Sequence, residues 1–376
     1  MTGKERIIAA LEHREPDRVP RGENAFDSEF FKQICGYDTL YNGGWKEKET
    51  LWAGGRDKVI ADYVDAICTI AQKLGWDYVR VPVAPINMDY SGYSRIGENL
   101  FQDDKGKKYT FNPRVGNVVM QADFEEDMTI EDLGDLEAPY IVDDSEMDIA
   151  RGVVERLGNT HFIIGRPFMG GSFTWHRIGL QEYLTRMITD PEFIHASNRF
   201  YTKMSIAYFN AFVKVGCDGL MMTDDYADSR GLMMGKARYD EFVLPYLQES
   251  CKAAHDLGVY YIKHTDGIIW DILDSFVETG IDAWHGIQPS LGMDLKLLKE
   301  KYRGKICFFG GMEVEKLLEG NEEDIRREVR HAIKYAAPGG GLVLTCSNIL
   351  EPGTNPALYL SAVDEANKIG TYPISL

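Results

Sequence analysis

Two stretches far apart in the chain carry groups able to hold a metal ion. His264-Thr265-Asp266 offers an imidazole and a carboxylate two positions apart, and Cys346 offers a thiolate. That trio of ligand types suits tetrahedral zinc with one position left open for a substrate. Each residue also has an ordinary structural use. The histidine can sit hydrogen-bonded in a rim, Asp266 can cap a helix beginning near Ile268, and Cys346 can pack as a small apolar residue. His285 and Glu351 compete for a place in the same ligand set. A second constellation is Asp224-Asp225-Tyr226. Neighbouring carboxylates either solvate a loop or hold a proton and orient a substrate, which makes Asp225 and Tyr226 the candidate catalytic residues. Phe168, Trp175 and Met222 are candidates for an apolar substrate wall, and Asn348 adds a polar group beyond Cys346.

These residues gain meaning from the elements that carry them. Short apolar runs recur at Tyr78–Val83, Phe162–Gly165, Gly219–Thr223, Val259–Lys263, Ala283–Ile287, Ile306–Phe309 and Leu342–Thr345, and Arg18–Arg21 supplies an eighth. Continuous hydrophobicity predicts strands buried on both faces, as in a parallel sheet. Helical patterns lie between most of them, including Tyr239–Leu257, Ile268–Thr279 and Asn321–Ala336. Eight strand–helix units predict an α/β protein with a (β/α)8 TIM-type barrel in one domain spanning 1–376. Catalytic groups of such barrels sit at the C-terminal ends of the strands, where the polar residues above gather. One region breaks the rhythm. Residues 88–122 hold an Asp-Lys-Gly turn between alternating runs, which reads as a β-hairpin insertion able to act as a lid or a partner surface. The acidic stretch 123–148 reads as a solvated connector.

Composition narrows the function classes. The 376 residues carry a formal net charge of -18, with 44% hydrophobic residues. An acidic chain is a poor partner for nucleic acid or an anionic membrane. There is no apolar run of about 18 residues to span a bilayer, and the opening segment reads as an amphipathic helix rather than a signal peptide. The six cysteines are scattered without a CxxC pair, which fits reduced thiols. A cytoplasmic enzyme is expected.

The chain resembles the uroporphyrinogen decarboxylase superfamily over nearly its whole length. The likeness rests on Arg6–Leu11 and Pro16–Pro20 at the start, Gly165–Trp175 as a glycine-rich loop, Asp224-Asp225-Tyr226-Ala227 as an acidic-aromatic motif, and a tail running from Gly341–Cys346 through Glu351-Pro352-Gly353-Thr354 to Gly370–Ile374. The resemblance implies a TIM-type barrel and one of two chemistries. One is decarboxylation of a tetrapyrrole bearing eight carboxylates, which uses arginines near the first strand. Here only Arg21 remains of that segment, beside Glu23. The other is methyl transfer involving a corrinoid, in enzymes that bind zinc through His-x-Cys and a second Cys. His264 and Cys346 match the outer positions, and Asp266 replaces the middle cysteine. The resemblance therefore implies a methyltransferase with zinc on His264, Asp266 and Cys346. Its expected reaction moves a methyl group from a small methylated substrate, preferably an aryl methyl ether, to the cobalt of a corrinoid. Because the chain has no Asp-x-His-x-x-Gly motif, the corrinoid (cobalamin) is expected on a separate partner protein. Transfer from a methylcorrinoid to a thiol of the coenzyme M type, and porphyrin biosynthesis, are the alternatives.

Overall fold

The computed structural model describes residues 1–113, 117–121, 127–167 and 173–375. Phe168 and Met169 lie outside them. Eight strands form one sheet in sequence order: β1 (Gly22–Glu23), β2 (Tyr78–Pro82), β3 (Phe162–Arg166), β4 (Gly219–Thr223), β5 (Tyr260–His264), β6 (Ala283–His285), β7 (Cys307–Met312) and β8 (Leu342–Cys346). All neighbours are parallel. Parallel bridges Arg21↔Leu344 and Phe26↔Leu350 bring the last strand back to the first, so the sheet closes into the expected barrel. The first strand starts later than its sequence pattern suggests. Pro20 has no N–H to give a ladder and only accepts, from Leu344, while Arg18 is drawn into an antiparallel bridge with Thr371.

Side chains on each strand alternate between the barrel interior and the surrounding helices. Tyr78, Phe162, Ile164, Met221, Ile262, Ala283, Cys307, Phe309 and Val343 form the inner core. Helix α1 (Gly3–Leu11) adds Ile7, Ala10 and Leu11 to it and so plugs the N-terminal end. A capping box starts α1: the Thr2 side chain accepts from Glu5 N, and Glu5 accepts from Thr2 N. The same end is tied by Asp77, which is 1% exposed and accepts from Arg6, from Arg18 and from the Arg21 backbone N–H.

The interruptions to helical patterns have local causes. The pattern over 47–75 splits at Gly54-Gly55 into helices Trp45–Trp52 and Arg56–Leu74. Tyr239–Leu257 splits at Val243, just ahead of Pro245, into Lys236–Phe242 and Leu244–Asp256. The insertion is larger than a hairpin. It is a four-stranded antiparallel sheet of Ser94–Gly97, Leu100–Gln102, Lys108–Asn112 and Asn117–Met120, and the Asp-Lys-Gly turn joins its second and third strands. Trp52, Tyr93, Phe101 and Tyr109 stack between this sheet and the helix Trp45–Trp52. No helix of the described residues is long and apolar enough to cross a membrane.

Glu23 on β1 faces outward and is 1% exposed; it accepts from Thr345 Oγ1 at 2.8 Å and from Cys346 N at 3.1 Å. Burial pushes its carboxyl up to about 7, against an ordinary value of 4.5. The folded state then binds a proton that the unfolded state has released, so stability falls as pH rises from about 4.5 through 7. The full loss is roughly 3 kcal/mol. Glu23→Gln is expected to flatten that part of the curve, as read by urea unfolding across pH.

Candidate active site

The inward-facing residues at the C-terminal ends of the strands are polar. Alternation from Tyr78 brings Arg80 inward, from Ile164 brings Arg166, from Met221 brings Thr223, from Ile262 brings His264 and from Ala283 brings His285. The pairing registers support this, since His264 lies level with both Thr223 and His285. A cavity of about 540 Å³ opens above this ring. Its described lining includes Asn24, Asn42, Arg80, Asn117, Arg166, Thr223, Asp225, His264 and Asn348.

His264 and His285 form the buried centre, with their Nδ1 atoms 2.6 Å apart. His285 Nε2 lies 2.9 Å from the Cys346 carbonyl oxygen. A carbonyl only accepts, so His285 carries its proton on Nε2. Asn24 Nδ2 is placed 2.8 Å from the same nitrogen, where two donors would meet; with the amide turned over, its oxygen becomes a second acceptor for the His285 proton. Burial pushes His285 down to about 3 and His264 well below its ordinary value, so both rings are neutral. A neutral His285 protonated at Nε2 accepts at Nδ1, and the donor must then be His264 Nδ1–H. His264 Nε2 is left bare. It lies 3.6 Å from Asp225 Oδ1, itself buried with no hydrogen-bond partner. Two acceptors facing each other suit a shared cation, either a metal ion or a proton carried by Asp225. An imidazole oriented by a second group through its other nitrogen is the usual arrangement of a metal ligand.

Asp266 completes the group: one ligand atom from each of Asp225, His264 and Asp266 lies within 4.8 Å of the others. Burial and the Asp266 charge push Asp225 up to about 7, and burial and Glu315 raise Asp266. A cation would reverse both effects. Asp266 does not cap a helix. The next helix begins only at Leu273, and the N–H groups of Gly267 and Ile268 go to Gln288 Oε1 and the Asp228 carbonyl. Asn348 Nδ2 reaches Asp266 Oδ2 at 3.5 Å. Burial, Glu315 and Asp266 raise the half-buried Glu351 carboxyl, and Glu351 is not part of the three-residue group.

Several sequence expectations are redrawn. Cys346 is fully buried and does not join His264 and Asp266. Alternation on β8 turns Val343 inward and Leu342, Leu344 and Cys346 outward into the layer between barrel and helices. There the thiol sits beside Glu23, and burial pushes it well above its ordinary value. Met222 faces outward for the same reason. Trp175, Met222 and Tyr226 line a smaller cavity of about 30 Å³, room for about one water, which adjoins the larger one through Asp225. Tyr226 packs its ring under Lys263 Nζ at 4.6 Å and against Tyr239, with its hydroxyl pushed well above the ordinary value. Arg21 is also misplaced by the sequence argument. It precedes β1 at the closed end and donates to Asn367 Oδ1, with its guanidinium close to Gly75. The arginines facing the cavity are Arg80 and Arg166, which the sequence reading passed over. The available signal was a charged residue inside or ending an apolar strand, at a position whose period-2 neighbours are core residues.

The uroporphyrinogen decarboxylase (URO-D) family model matches residues 106–369. The chain belongs to that family. Among curated relatives, uroporphyrinogen decarboxylase from Geobacter sp. (strain M21) is 26% identical over 212 residues, covering 54% of this chain and 58% of the relative. The enzyme of that name from Coxiella burnetii (strain RSA 331 / Henzerling II) is 24% identical over 194 residues, 49% of this chain and 51% of the relative. The match thus spans little more than half the length of these relatives. Among solved structures, a methyltransferase from Methanosarcina mazei superposes with a TM-score of 0.71 at 18% identity, covering 98% of this chain and 99% of that one. At that identity the likeness shows a shared fold, here over both chains almost entirely.

The grouping of Asp225, His264 and Asp266 predicts metal uptake that does not depend on the thiol. Elemental analysis after zinc loading is expected to give about one ion per chain for the native protein and for Cys346→Ser. Little or none is expected for His264→Ala or Asp266→Asn.

Proposed function

We propose that this URO-D family member is a methyltransferase that takes a methyl group from a small methylated substrate, an aryl methyl ether, and passes it to the cobalt of a corrinoid on a separate protein. The observation that carries this reading is the bare Nε2 of His264 facing the buried, unpartnered Asp225 Oδ1 at the open end of the barrel. Asp225, His264 and Asp266 would hold zinc. A bound zinc ion supplies Lewis acidity at the ether oxygen, stabilising the negative charge that develops there as the methyl group leaves.

In balanced form, the methyl–oxygen bond would break with its electron pair kept on oxygen as a phenolate, later protonated from solvent, and the partner's cobalt(I) would supply both electrons of the new bond to carbon and become formally cobalt(III). The chain's own residues prepare this step. His285 holds the His264 ring in the tautomer that leaves Nε2 free, and Asn348 holds Asp266. A ligand set of nitrogen and oxygen atoms is harder than one containing thiolates and suits an oxygen donor better than a thiol substrate. Decarboxylation of an eight-carboxylate tetrapyrrole finds less support here, because Arg21 is engaged with Asn367 at the closed end and, among the described residues, two other arginines line the cavity.

The reading is tested by incubating zinc-loaded protein with reduced corrinoid and a panel of aryl methyl ethers, following cobalt methylation by absorbance. His264→Ala, Asp225→Asn and Asp266→Asn are expected to lower the rate by more than about a hundredfold, since outer partners of metal ligands already cost 10- to 100-fold. Tyr226→Phe is expected to stay within a few-fold of the native rate. Loss of carboxyl groups from uroporphyrinogen, with no methyl transfer from any ether, would overturn the proposal.

A further inference from the structure

The cavity has a cationic side that the metal group does not use. Arg80 and Arg166 sit on adjacent strands, β2 and β3, with Arg166 two residues further along in the pairing register. Arg80 gives its Nε–H to the Asn24 carbonyl at 2.8 Å. Arg166 Nε is buried with no hydrogen-bond partner. Among the described residues, no carboxylate forms an ion pair with either guanidinium. Tyr41 lies near both, but burial raises its hydroxyl, so it is neutral and cannot serve as counter-ion. Asn24, Asn42 and Asn117 add only neutral groups.

A guanidinium stays charged in proteins. Two of them half-buried on one wall of the cavity repel each other, and an anion between them would relieve that repulsion. Burial and the neighbouring Arg166 push Arg80 down to about 9, which reports that strain. Scarcity of acids does not explain the pair, since the chain has 59 acidic residues against 41 basic ones. The anion must also share the cavity with Asp225 and Asp266. A singly charged, planar carboxylate suits this better than a dianion, and it matches the fork of a guanidinium.

We propose that Arg80 and Arg166 bind a carboxylate carried by the substrate, so that the methyl donor is an aromatic acid with its methoxy group directed toward His264. This substrate class rests on the methyltransferase reading, but the anion site stands on its own geometry. The aromatic ring spans the cavity between the arginine side and the carboxylate–imidazole side.

Calorimetric titration of the full chain, metal-free and zinc-loaded, tests this with para-methoxybenzoate, para-methoxybenzamide and inorganic phosphate. The acid is expected to bind at least about tenfold tighter than the amide, the scale of one charged hydrogen bond. Arg166→Gln and Arg80→Gln are each expected to shrink that preference at least severalfold, by weakening the acid more than the amide. The native acid–amide comparison needs no variant to fold. Equal binding of acid and amide, no binding of the acid, or tighter binding of phosphate than of the acid would overturn the inference. If the acid binds as expected and no methyl ether is demethylated, the carboxylate site stands and methyl transfer fails. If neutral ethers are demethylated and acids do not bind, methyl transfer stands and the carboxylate site fails.

Discussion

The chemistry of this barrel depends on one backbone carbonyl. The Cys346 oxygen can only accept a hydrogen bond, and it lies 2.9 Å from His285 Nε2. That contact fixes the tautomer of His285, which fixes that of His264, which leaves a lone pair aimed at Asp225. Three strand ends must meet for this to happen: β5 brings His264, β6 brings His285 and β8 brings the carbonyl. Barrel closure is therefore a requirement of the site as well as of the fold. Gly286 belongs to the same arrangement. Its φ of +101 suits glycine, and a Cβ there would approach the Thr265 carbonyl oxygen to 2.5 Å.

The cavity is electrically divided. Carboxylates gather above β4 and β5 and feel Glu315 and Glu351, and above β2 and β3 stand two guanidinium groups with no ion pair among the described residues. The neutral imidazole pair is kept uncharged by burial, helped by Arg80 and Arg166 at His264 and by Arg80 at His285. The opposite end of the barrel is organised differently. Asp77 gathers Arg6, Arg18 and the Arg21 backbone into a satisfied network beside the α1 plug. At the closed end Asp77 matches Arg6 and Arg18, while the Arg21 guanidinium has only the neutral Asn367 beside it.

The sequence made the architecture legible because continuous apolar runs marked buried strands, and seven of the eight began within a residue or so of their structural positions. Pro20 displaced the remaining one. The site was legible in part. His264 and Asp266 stood out by type and spacing, and Asp225 was noticed but given a different role. Cys346 misled because its chemistry attracted attention while its parity was ignored: on a barrel strand, a residue one step from an inward neighbour faces outward. The same parity, applied from Tyr78 or Ile164, would have singled out Arg80 and Arg166. Trp175 and Met222 were chosen for apolarity, which does not tell a pocket wall from the layer under the helices. The His264–His285 contact joins residues 21 positions apart on neighbouring strands, and only the register of β5 against β6 reveals it.

The inserted antiparallel sheet has a consequence of its own. Asn117 and Val118 on its last strand help line the cavity, and Asn117 Nδ2 approaches Asn42 Oδ1 at 3.4 Å. Part of the cavity wall is thus built from a module that contributes no strand to the barrel. Its aromatic stack anchors it to the helix Trp45–Trp52 rather than to the reacting groups. Evolution can reshape that wall, widening or narrowing what fits, while the histidines and carboxylates keep their spacing. In this molecule the tuning of selectivity and the upkeep of reactivity are assigned to separate pieces of chain.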